Sequence, residues 1–477
     1  MRVYALYLVV AFLSVYAYRD WFRSLCGLIL LMAVVEHPDM PKKLFDIQGL
    51  SPWNLALLNV VVAWLFNRRG QGLIWDMPRH LNVLLLLCFL VVFVGFLRML
   101  FGPNPEGLTA TGMVSEYLIN TIKWVVPGLL LFDGCRTRRR LATGLVVILA
   151  LYVLLAVQVI RCVPPGAALS GDTLTLKSRK AISRQVGYHA VNAAMILAGG
   201  SWAVLATLPL VSKRRHQVMV VGLFLVLTYA LALTAGRMGY VTWAIVGLIL
   251  CLLRWRRRLL LLPLLALVII GLAPGAVERM QHGFGELAAT GESYTDPHVV
   301  TSDRTLIWPY VVDRIMQSPF GGYGRRGMLF SGLTNYVVER TGEVFRHPHN
   351  AYLEWALDNG LLGLLLILAL YGIILKHSVA LFRNRNNVWH AAVGGVASAL
   401  LLALLVGGMG SQTLYPREET VGMWAAIGLL LRLSVAARAA VHIPVSRFTL
   451  VDAFRPQTAG LSERLAYVTG LQQLRAR

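Results

Sequence analysis

Acidic side chains are scarce in this sequence. Only 23 Asp and Glu stand against 45 Lys and Arg in 477 residues, and the four types together make up 14% of the chain. Soluble globular proteins use about 25% charged residues, so a water-exposed enzyme of this length is excluded. Cysteine is sparse too. Cys26, Cys88, Cys135, Cys162 and Cys251 are scattered with no paired spacing, which excludes a disulfide framework and a cysteine metal set. Ten-residue segments of alternating polarity are missing, and with them the outer-membrane barrel. The glycine-rich S-P-F-G-G-Y-G-R-R-G is not followed by Gly-Lys-Ser/Thr, so it is not a nucleotide P-loop. No internal repeat and no attached soluble domain is evident.

What is present is apolar: 57% of the residues are hydrophobic, with mean hydropathy +0.63. The apolar runs are about 15–25 residues long, the length of a membrane-crossing helix. The expected fold is an all-α integral membrane protein with about 12 (12–13) transmembrane helices. Spans are placed near 3–18, 22–37, 52–67, 81–101, 118–134, 141–161, 188–210, 217–235, 237–253, 259–274, 350–376, 388–410 and 419–437. The opening M-R-V-Y-A-L-Y-L-V-V-A-F has no convincing small-residue cleavage site and reads as a retained first span. Four regions follow: an N-terminal bundle (1–274), a large loop (275–349), C-terminal transmembrane helices (350–440) and a basic tail (441–477).

A net charge of +22 could indicate a nucleic-acid partner. The distribution argues against one. R-T-R-R-R at 136–140, S-K-R-R-H at 212–216 and R-W-R-R-R at 254–258 are each two spans apart, and H-S-V-A-L-F-R-N-R-N at 377–386 follows after two more. All four fall on one side, which the positive-inside rule makes cytoplasmic. A bacterial inner membrane fits, with membrane lipids as surroundings and the tail on the cytoplasmic face. The turn at Arg237, loop 162–187 and loop 275–349 then face the periplasm. Loops as long as the last are uncommon unless functional.

Several polar residues sit against this orientation. Loop 162–187 carries Lys177, Arg179, Lys180 and Arg184 against a single acid, Asp172, and Arg161 lies at the same face. The cluster reads either as an anion site, with Arg161, Lys180 and Arg184 toward phosphate, or as a charge cluster beside anionic lipid headgroups. Arg237, in T-A-G-R-M-G-Y, ends a span with almost no loop, and Gly236 and Gly239 permit close approach. Arg304 follows Ser302 and Asp303, either of which could cap a short helix. Further on, S-P-F-G-G-Y-G-R-R-G, with Arg325 and Arg326, could fold its amides around an anion. In R-H-P-H-N-A-Y-L-E-W, Asn350 suits a helix cap and His349 stands at the positive end of the helix dipole, which favours a neutral, proton-accepting imidazole. His347 is its neighbour, and Glu354 could orient a partner or make a buried hydrogen bond. No Cys or carboxylate stands at ligand spacing from the His-x-His pair, so no metal site is assigned.

Three of these segments together resemble a known family. H-P-H-N-A-Y-L-E-W-A-L-D-N-G-L-L-G is similar to the His-Asn…Leu-Glu…Gly-x-x-Gly signature of the O-antigen ligase and O-antigen polymerase superfamily. T-A-G-R-M-G resembles its Ser/Thr-x-x-Arg segment, and S-D-R-T-L-I-W with S-P-F-G-G-Y-G its Arg…Trp…Pro-x-x-Gly-x-Gly segment. The match spans about 230–365 and does not cover loop 162–187. The resemblance implies a GT-C-like, inverting, metal-independent glycosyltransferase with no cofactor. Its implied donor is an undecaprenyl-diphosphate-linked O-antigen and its implied acceptor the lipid A-core. It carries over Arg237, Arg304 and His349 as the essential residues. A polymerase using the same donor is the alternative within the superfamily, and a lipid-linked oligosaccharide flippase the alternative outside it.

Overall fold

The computed structural model describes residues 2–438 except 46, 103–106, 302–303, 411–413 and parts of 262–272 and 282–300. The basic tail from 441 and the proposed caps Ser302 and Asp303 lie outside the described residues, as do 262, 265–266, 268–270 and 272 of the span expected at 259–274.

Apolar runs become helices and the polar punctuation ends them. In the first half these are α1 (Arg2–Ala17), α2 (Trp21–Val35), α3 (Pro52–Gly70), α4 (Arg79–Phe101), α5 (Val126–Gly134) and α6 (Arg138–Cys162). Asp20, Ser51 and Thr137 cap α2, α3 and α6 by accepting a backbone N–H from their first turns. The second half runs through α7 (Gly171–Gln185), α8 (Ala190–Leu205), α9 (Arg214–Ala232), α10 (Arg237–Leu253), α11 (Pro274–Gln281), α12 (Arg304–Gln317), α13 (Leu333–Thr341), α14 (Ala351–Arg383), α15 (Val388–Gly407) and α16 (Val421–Arg438). Two short antiparallel strands pair Glu286–Leu287 with Ser293–Tyr294. The chain is a multi-pass α-helical membrane protein.

The expected span count is not reached among the described residues. Seven helices are long and apolar enough to cross a membrane, and α1, α2 and α10 are shorter apolar helices. The single span expected at 118–134 is instead broken into a π-helical turn (Val114–Ile119), Asn120–Lys123 and α5, with Pro127 opening the last. Proline lacks the N–H that a continuous helix would need there. Loop 162–187 is mostly helix: α7 buries Leu174, Ser178 and Ile182 on one stripe.

The helix connections give the bundle two chemically different ends. At one end lie the four basic clusters. Arg254 Nη1 donates to the carbonyl of Asn384 at 2.9 Å, and the Arg138 guanidinium stacks over Trp389 at 5.6 Å, so these clusters share a level. A buried ion network ties this end together. Asp133, fully buried, accepts from Trp64 Nε1 (2.9 Å), Arg68 Nε (3.2 Å) and Arg136 Nη2 (3.0 Å), while Arg432 and Arg136 both hold Asp76. Removing one partner from a buried pair costs about 3–5 kcal/mol, because the other charge is left uncompensated. An Asp133→Ala protein should therefore give less folded material and melt at lower temperature in detergent. A melting curve equal to wild type would show that the network contributes nothing to stability. At the opposite end meet α7, α11, α12, the 342–350 loop and the starts of α8, α10 and α14.

Candidate active site

The histidine segment is held rigidly from three sides. Asn350 Oδ1 accepts from the N–H groups of Tyr352 (3.0 Å) and Leu353 (3.2 Å), capping α14 as the sequence suggested. Trp308 Nε1, on α12, donates to the Pro348 carbonyl at 2.9 Å, and Thr334 Oγ1 donates to the Phe345 carbonyl at 3.2 Å. Between these anchors His349 adopts φ +52°. That region is sparsely populated for a residue with a side chain, and such strain persists only where the surroundings over-determine it. The His347 and His349 rings lie 3.9 Å apart, and Phe345 meets His349 edge-on at 6.4 Å.

Around these rings the structure gathers positive charge. Arg304 opens α12, and its Nη1 lies 3.0 Å from where a Cβ on Gly410 would stand. The Met238 side chain borders the same spot, so Arg304 reaches the turn that carries Arg237. That turn is pressed against α8: a Cβ on Gly236 would stand 2.6 Å from Ala194 Cβ, which explains the small residues beside Arg237. The charges of Arg279 on α11, Arg304 and Arg179 on α7 all bear on Arg237. Arg417 bears on His347, and the Asn192–Glu419 hydrogen bond (2.7 Å) fastens the Arg417 segment to α8. His189, just before α8, faces the same group.

The consequence is a set of neutral imidazoles in a cationic field. Burial, then Arg304 and His189, push the His349 pKa down to about 4. Burial, then His349, Arg417, His189 and Arg304, push His347 down to about 3. Burial and the Arg179 charge also lower Arg304. Among the described residues the buried Nε atoms of Arg279 and Arg304 and the Nδ1 of His347 have no hydrogen-bond partner. Buried polar atoms are normally satisfied. Guanidinium donors left open beside proton-accepting imidazoles suit an anionic ligand carrying, or lying beside, a hydroxyl group.

The residues singled out from the sequence divide into three groups. His349, Arg237 and Arg304 come together, with Asn350 as the cap beneath them. Arg325 and Glu354 lie in a neighbouring paired network. Arg325 Nη1 stands 3.4 Å from Asp358 Oδ2 and 4.0 Å from Glu354 Oε1, and its guanidinium stacks on Tyr415 at 3.3 Å. Arg326, at φ +65°, starts the short helix Gly327–Phe330 and lies 5.9 Å from the Tyr117 ring. The neighbouring amides are already committed. Tyr323 N donates to Leu357 O (2.8 Å), Gly324 N to Asp358 O (2.8 Å), Arg325 N to Gly95 O (2.9 Å) and Gly327 N to Asp358 Oδ1 (2.6 Å). This segment docks onto a break in α14 at Gly360 (φ +74°), where a Cβ would run into the Phe320 carbonyl. The third group, Arg161, Lys180 and Arg184, is exposed, and none of its charges is among those that bear on Arg237, Arg304, His347 or His349.

Arg179, Arg279, Arg417 and His189 join the site without having been singled out for it. Arg179 borders the buried stripe of α7 next to Ile182, whereas Lys180 stands about 100° further round the helix. Amphipathic helical phasing across loop 162–187 was the signal that could have separated them. For Arg279, Arg417 and His189 no local signal exists, because they come from three separate segments.

A membrane-embedded protein with arginines and neutral histidines gathered at one end of its helices is the class that this fold defines. Residues 222–368 match the family model described as O-antigen ligase. The matched stretch includes Arg237, Arg279, Arg304 and His349 and leaves out α7. A protein of Rickettsia conorii named "Putative polysaccharide ligase" is 25% identical over 193 residues, 39% of this chain and 45% of that protein. One of Rickettsia felis with the same name is 27% identical over 177 residues, 36% of this chain and 42% of its own. The chain thus spans less than half the length of these relatives.

Proposed function

We propose that this protein is an O-antigen ligase: a metal-independent, inverting glycosyltransferase that moves a glycan from undecaprenyl diphosphate to the lipid A-core at the periplasmic face of a Gram-negative inner membrane. The observation that carries the reading is the meeting of His349, Arg237 and Arg304 at the end of the bundle opposite the basic clusters. The positive-inside rule makes that end periplasmic.

In this reading the acceptor hydroxyl attacks the anomeric carbon while the bond from that carbon to the diphosphate oxygen breaks. The electron pair leaves with the diphosphate, and the hydroxyl proton passes to His349. His349 is suited to receive it because burial and Arg304 keep it neutral at physiological pH. Arg237 and Arg304, joined by Arg279, meet the charge that develops on the leaving diphosphate. Fixed donors that need no reorganisation contribute most where water is excluded.

The decisive experiment is transfer from purified undecaprenyl-diphosphate glycan to purified lipid A-core in the presence of EDTA. We expect capped product. Absence of transfer, or EDTA inhibition reversed by zinc, overturns the reaction or its metal independence. In a deletion strain, rough core with polymer retained on the carrier lipid supports the ligase, whereas core capped by single repeats assigns the chain to the polymerase branch.

A further inference from the structure

The outward cations of α7 remain without a role in this chemistry. At 3.6 residues per turn, Lys177, Lys180 and Arg184 fall within about 60° of one another. All three are exposed, and among the described residues none makes an ion pair. Arg179 stands at least about 100° away from each of them, on the other flank of the buried stripe. One helix therefore presents two separate cationic faces, one toward the histidine cluster and one outward. Beside the outward face Leu176 is 74% exposed and, just before the helix, Leu169 is 67% exposed. The helix is firmly seated: Gly171 N donates to Glu278 Oε2 at 2.7 Å, holding it against α11. In the chain it joins α6 to α8, two helices long and apolar enough to cross a membrane.

A helix with basic residues beside exposed leucines, lying at a membrane boundary, has the composition that binds acidic headgroups. We propose that the Lys177–Lys180–Arg184 face of α7 docks the phosphate of an acidic membrane lipid in the leaflet next to the site. The acyl chains of that lipid run past Leu176, and its phosphate takes the place that a carboxylate would take in an ion pair.

The test places a bimane fluorophore on Ser183, an exposed position of α7, as S183C in a Cys162→Ser background. The full chain is reconstituted in nanodiscs containing brominated phosphatidylglycerol or brominated phosphatidylcholine. Each basic residue at an anionic surface favours binding about fivefold. With three such residues, half-maximal quenching should need on the order of a hundredfold less phosphatidylglycerol than phosphatidylcholine. The K177Q/K180Q/R184Q protein should lose that preference, and R179Q should keep it. Equal quenching by the two lipids in the unsubstituted face overturns the proposal, as does a preference surviving the triple substitution. Relief of quenching by millimolar inorganic phosphate would show an ion site rather than a lipid site. Glycan transfer is not the readout, so failure of the proposed reaction leaves this result standing.

Discussion

A His349→Ala protein is expected to reach the membrane in normal amount and to transfer glycan about 10²–10⁴-fold more slowly than wild type, the range that a positioned base contributes. Lipopolysaccharide gels from the complemented deletion strain would then show uncapped core. Normal capping at normal expression would remove His349 from the mechanism. The pH dependence sharpens the test. The free protein holds His349 near 4, against about 6.5 for an ordinary histidine. The acid limb of kcat/KM, which reports the free enzyme, should therefore fall near pH 4. The causes are burial and the Arg304 and His189 charges, and a bound diphosphate offsets those charges. The acid limb of kcat should accordingly lie at higher pH than that of kcat/KM. The same shift bears on folding. Between about pH 6.5 and 4 the unfolded chain binds a proton that the folded chain refuses, so stability falls as pH drops through that window.

Arg304→Ala should slow transfer about 10²–10³-fold, the usual loss when one preorganised donor to a developing oxyanion is removed. Arg304→Lys should restore little, because an ammonium cannot reproduce the planar fork of a guanidinium. Arg304 also stands among the charges that depress His349. Its removal should therefore raise the acid limb of residual kcat/KM from near 4 toward the ordinary histidine value. A purely structural role for Arg304 would lower yield without moving that limb. Unchanged transfer in Arg304→Ala, with the protein folded, would sink the assignment.

The membrane class, the two-ended charge pattern and the three family segments were legible in the residues because each is a local property. Hydropathy over a run of residues sets a helix, and the spacing of basic clusters sets its direction. The cap at Asn350 was legible for the same reason. The break at 114–126 was not, since a π-helical turn and Pro127 interrupt a run whose composition stays apolar. Nor was the commitment of the 323–327 amides, which depends on α14 breaking at Gly360 exactly where that segment docks.

The sequence by itself determined that this chain is helical, membrane-embedded and asymmetric in charge, and it named His349, Arg237 and Arg304. Only the tertiary structure decided which other cations stand with them. Arg179 joins while Lys180, the next residue, turns outward, because a helix rotates about 100° per residue and only one flank of α7 borders the site. Arg279, His189 and Arg417 join because α11, the start of α8 and the segment before α16 meet at one level of the bundle. Arg325 and Glu354 engage each other and Asp358 because a buried charge is stable only with a partner, and the fold supplies one.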